Sequence, residues 1–129
     1  MTPELAYLVW SAVLTVVLAV IAVSGATLEV GLPRLAGNRE NMPEMQGWAG
    51  RAARAHRNLL ENLVLFAVLV LVARAMNVSN SMTILGAQLF FWGRVAHAAL
   101  YLAGIPWLRT GAWTVSVIGL LLIFLQLVG

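Results

Sequence analysis

Residues Gly47 to Ala103 read GWAGRAARAHRNLLENLVLFAVLVLVARAMNVSNSMTILGAQLFFWGRVAHAALYLA, and the way this stretch doubles back decides the architecture. Two apolar runs meet at the turn Asn77-Val78-Ser79-Asn80. On the first, Arg51, Arg54, Asn58 and Glu61 recur at spacings of three and four; on the second, Arg94, His97 and Tyr101 do the same. That spacing puts each set on one helix face. A hairpin turning near Asn77/Val78 sets Glu61 opposite Arg94, Asn58 opposite His97 and Arg54 opposite Tyr101. A charge in hydrocarbon is costly unless it is paired or reached by water. Two facing polar stripes therefore predict a cleft inside a membrane protein.

Composition agrees. Hydrophobic residues make up 61% of the 129, and a soluble domain holds roughly 45–50%. Most of the chain must face lipid or other protein. There is no cysteine, which excludes disulfides, thiolate metal sites and cysteine nucleophiles. Every basic residue is Arg and every acidic one is Glu. Arg suits flat, bidentate carboxylate recognition, although a high-GC genome produces the same bias. The net charge of +3 is too small to argue for nucleic acid. His56 and His97 have no second ligand three or four residues on, and the chain has no Asp, so no metal site is expected.

Outward from the hairpin, Glu4 to about Leu28 exceeds the roughly 20 apolar residues that span a bilayer. It lacks a basic leader and is too long for a signal peptide, so a retained first helix is expected. Gly31 to Gln46, with its Pro, Gly, Arg and Glu, reads as a solvated loop. Gly104-Ile105-Pro106 breaks the chain after the third helix. The prediction is one all-α domain over 1–129, an integral-membrane four-helix bundle with helices at about 4–28, 47–76, 81–103 and 107–128. Arg34, Arg39, Arg51, Arg54, Arg57 and Arg109 fall on one side of the membrane and only Arg74 on the other. The positive-inside rule then places both termini outside and the polar cleft toward the cytoplasm.

Several residues carry two readings. Glu61 and Arg94 are expected as a structural ion pair, with ligand contact by Glu61 also open. Arg51, Arg54 and Arg57 form either a face for anionic lipid or a pocket for a small anion bearing carboxylates. Arg109 stands at a helix start, where a cation is misplaced for stability, which marks it for a chemical role. Thr110 is a helix cap or a donor to a bound anion, and Tyr101 an interfacial aromatic or a ligand contact.

Arg54-Ala-His-Arg-Asn-Leu-Leu-Glu61, Gly93-Arg-Val-Ala-His97 with Tyr101, and Arg109-Thr110 resemble the MAPEG family, membrane proteins of eicosanoid and glutathione metabolism. The resemblance is to bacterial-type members and implies a homotrimer in a bacterial inner membrane. It further implies glutathione bound between subunits near the cytoplasmic side. On that likeness Arg34, Arg54, Arg57, Asn58, Glu61, His97 and Tyr101 are expected to contact glutathione. Arg94 is expected to partner Glu61, and Arg109 with Thr110 to hold the glutathione thiolate. Trp113 stands where one branch, prostaglandin E synthase, has a tyrosine. The implied function is a glutathione-dependent transferase or peroxidase acting on an apolar electrophile from the membrane. The alternative is a non-catalytic lipid-binding or scaffold member. An arginine-lined anion pore fits less well, because the polar stripe stops at Glu61 and Arg94.

Overall fold

The structure, a computed structural model, describes residues 1–37 and 43–129; Arg39, counted above for membrane topology, lies outside the described residues. Helix α1 runs Pro3–Val30, α2 Leu32–Ala36, α3 Gly47–Ala75, α4 Ser81–Ala103 and α5 Pro106–Val128. Helix α1 starts because the Thr2 hydroxyl accepts from Leu5 N and Pro3 occupies the first turn. It stops at Gly31, whose φ of 85° leaves the helical region. The stretch expected to be plain loop turns once more, as α2, with Leu35 buried.

Asn80 starts α4 with a capping box: its side chain accepts from Met82 N and Thr83 N, and Thr83 Oγ1 accepts from Asn80 N. At the far end Gly104 takes the left-handed conformation (φ 77°), and Pro106 opens α5 two residues later.

Helix α5 packs chiefly on α4, and α1 chiefly on α3. Gly86 and Gly119 let the backbones of α4 and α5 touch: a Cβ on Gly86 would stand 2.6 Å from Gly119 O. Small residues serve this way where lipid removes the hydrophobic drive between helices. The core between the pairs holds Leu18, Leu59, Val70 and Ile123 around Phe66 and Phe90, which stack at 4.1 Å.

Helices α1, α3 and α5 are each long and apolar enough to cross a membrane. Four such segments are expected from the sequence; α4, equal in length to α5, falls short of that standard by hydropathy. Its most polar groups are turned inward, with Arg94 and His97 buried. Valines 9, 13, 16, 17 and 20 of α1 lie exposed, as a lipid-facing surface requires.

Contacts at the helix ends fix the directions. Thr83 Oγ1 meets Glu4 Oε2, and Asn80 Nδ2 donates to Gln126 Oε1, so the starts of α1 and α4 share one end with the close of α5. At the other end Arg51 Nε donates to Leu102 O, tying the start of α3 to the close of α4.

Candidate functional site

At that second end the sharp break after α4 places the first turn of α5 beside the last turns of α4. Arg109, fourth residue of α5, lies over the Tyr101 ring with its guanidinium carbon 4.3 Å from the centroid. Tyr101 in turn meets His97 edge-on, with centroids 5.4 Å apart and planes at 64°. Behind this column Asn58 Oδ1 accepts from Arg94 Nη2 at 2.7 Å, and Asn62 Nδ2 donates to Asn58 O at 2.9 Å. Asn58, His97, Tyr101, Arg109, Thr110 and Trp113 line one cavity of about 280 Å³.

Six residues singled out from sequence are thus brought together or joined through Asn58: Asn58, Arg94, His97, Tyr101, Arg109 and Thr110. The others lie elsewhere. Arg54 and Arg57 line a second cavity of about 300 Å³ with Ala22, Ala26, Glu44 and Met45, between α1 and α3. Arg34 sits on α2 next to Leu35, which lines this second cavity. Glu61 is exposed.

The expected pairings by height need correcting. Within one chain Arg94 bonds Asn58 rather than Glu61, and its Nε and Nη1 find no partner among the described residues. Arg54 does not reach Tyr101; the ring is covered by Arg109. The reason is helical phase. At about 100° per residue, Arg51, Asn58 and Asn62 fall within roughly 40° of one another, while Arg54, Glu61 and Arg57 are turned progressively outward by about 60–120°. One stripe in the sequence is two faces in the helix.

Arg51 is occupied structurally, donating to a carbonyl of the last turn of α4, where a cation also complements the negative end of the helix dipole. Thr110 does not cap α5. The helix starts at Pro106 with Ile105 as its cap residue, and the Thr110 hydroxyl donates back to Pro106 O at 3.2 Å. No side chain caps the first amides of α5. Unsatisfied amides at a helix start, together with a guanidinium in the same turn, favour a bound anion.

Trp113 adds an indole surface to the Arg109 cavity. Its spacing of four from Arg109 was the available signal. The role of Asn62 in steadying Asn58 carried no such mark beyond the same spacing.

Taken together, long apolar helices around buried polar groups, with a cavity bordered by Arg109 at one end, define an α-helical membrane protein. Residues 5–129 match the family model described as the MAPEG family, nearly the whole chain, and the protein belongs to that family. No curated protein matches the chain closely enough to count.

Proposed function

We propose that the protein is a glutathione-dependent transferase or peroxidase working on an apolar electrophile drawn from the membrane. The observation that carries this reading is the Arg109–Tyr101–His97 column beside the uncapped start of α5, bordering a cavity. Glutathione has two carboxylates and one ammonium, which suits several Arg and one Glu. Its thiol must lose a proton to attack, and a guanidinium stabilises the thiolate. Arg109 supplies that charge, and Tyr101 fixes the guanidinium from one face, leaving its N–H edge for the sulfur. Thr110 joins only after its hydroxyl leaves Pro106 O. The thiolate then displaces a leaving group from the electrophile, and the thiol proton passes to water. Trp113 offers the electrophile an aromatic wall.

A cavity of about 280 Å³ lies just below the roughly 300–1,000 Å³ usual for ligand sites, which suits a site finished by a neighbour. In this reading the protein is a homotrimer. Asn58, His97, Tyr101, Arg109 and Thr110 of one subunit face Arg34, Arg54 and Arg57 of the next, with Glu61 at the boundary receiving the glutathione ammonium. The arginine distribution supports a site facing the cytoplasm, where glutathione is reduced, with both termini outside.

The test is conjugation of a chromogenic aryl halide by purified protein. Arg109→Ala is expected to lower kcat about 10²-fold, as losing one anion-stabilising donor does elsewhere. Equal rates would remove Arg109 from the chemistry. Thermal melting with glutathione separates the lipid-binding or scaffold alternative: a ligand at a hundred times its Kd adds about 2.7 kcal/mol, and no shift at several millimolar glutathione favours the alternative.

A further inference from the structure

At the end of the bundle away from Arg109, Glu4 is only 3% exposed and Thr83 is fully buried. Their side-chain oxygens Oε2 and Oγ1 lie 2.8 Å apart. The other carboxylate oxygen, Glu4 Oε1, is sealed from water and has no partner among the described residues. A buried carboxylate left half satisfied costs free energy, so the group calls for a donor that the described residues do not supply. Glu4 borders a cavity of about 130 Å³, whose polar lining includes Thr2, Arg74, Asn77 and Ser79. A water takes up about 30 Å³ of liquid volume, so the space admits a small polar group and not merely one solvent molecule. Arg74 is exposed and uses one nitrogen, Nη1, on Asn77 Oδ1 at 3.1 Å.

The cavity therefore pairs an acceptor at its buried side with a cation at the exposed side. A group that matches carries an ammonium a short distance from a phosphate. The position selects the source: Glu4 is in the first turn of α1 and Arg74 in the last turn of α3, at the ends of two membrane-spanning helices, where lipid headgroups lie. We propose that this cavity binds the headgroup of a phospholipid bearing a primary ammonium beside its phosphodiester, the Glu4 carboxylate turning its sealed oxygen toward the cavity to take the ammonium and Arg74 taking the phosphate. A trimethylated ammonium has no N–H to give to Oε1 and is bulkier. The site is independent of Arg109 and of any reading of the glutathione chemistry.

Native mass spectrometry of the full chain, released from nanodiscs of phosphatidylethanolamine, phosphatidylcholine or phosphatidylglycerol with matched acyl chains, tests this. Wild type should retain phosphatidylethanolamine about tenfold more than phosphatidylcholine, equivalent to about 1.4 kcal/mol. Glu4→Gln, which keeps an acceptor for Thr83, should erase that preference, and Arg74→Ala should weaken retention of phosphatidylethanolamine and phosphatidylglycerol alike. Equal retention of the two zwitterionic lipids by wild type, or an undiminished preference in Glu4→Gln, overturns the proposal. Displacement by free phosphoethanolamine at a concentration equal to the lipid's overturns the lipid as source. Should Glu4→Gln fail to fold, the wild-type ratio and the exposed Arg74→Ala still decide.

Discussion

Arg94 shows how much rests on one amide oxygen. Its side chain is fully buried, and the single bond from Nη2 goes to Asn58 Oδ1. A buried charge that loses its partner costs far more than the bond itself was worth. Asn58→Leu is therefore expected to destabilise the bundle by about 3 kcal/mol in a melt at fixed detergent concentration. The double variant Asn58→Leu, Arg94→Met should recover most of that loss, because it removes the stranded cation as well. If the double variant is no more stable than the single one, Arg94 is satisfied by something other than Asn58. The sequence marked these positions as polar on apolar helices but misassigned their partners, because spacings of three and four drift around a helix. Glu61 lies three residues beyond Asn58, about 60° away in phase, and so misses Arg94.

Among the elements, the helix boundaries were the most legible, since caps are local chemistry. Asn80 with Thr83, and Gly104-Ile105-Pro106, announce the start and end of α4 within a few residues. Asn80→Ala is expected to cost about 1 kcal/mol from the lost cap, and somewhat more because Asn80 also holds Gln126. Helix α2 was not legible: its five residues, Pro33 among them, offer no periodicity, and its turn is held by the Leu35 N–H donating to Gly31 O and by the burial of Leu35. The contact between Glu4 and Thr83 joins residues 79 apart, so no spacing rule reaches it. The same applies to the close crossing of α4 and α5. Gly86→Val would drive two methyl groups toward Gly119 O and Ile123, and a loss of about 1–3 kcal/mol is expected from overpacking. An unchanged melting temperature would mean that the helices part there without cost.

For the whole molecule the telling residue is Glu61, exposed on the isolated chain yet far from either end of α3. Fourteen residues separate it from Ala75, about 21 Å, which keeps it inside a hydrocarbon layer about 30 Å thick whose outer boundary lies near that end. Beside it Leu60, Val64, Leu65 and Val68 are exposed as well. A carboxylate faces acyl chains from such a position only at a cost, so cover from another protomer or a bound polar ligand is expected. Purified in mild detergent, the protein is expected to have three times the 13.9 kDa chain mass after correction for bound detergent. The sign of one substitution decides the cause. If Glu61 met lipid, Glu61→Leu would remove a burden of about 2.5–3.5 kcal/mol and raise the melting temperature. If Glu61 lies at the subunit boundary, the same change should lower the temperature at which the trimer dissociates and abolish the thermal shift given by glutathione. A more stable variant that still responds to glutathione would place Glu61 outside both the interface and the site.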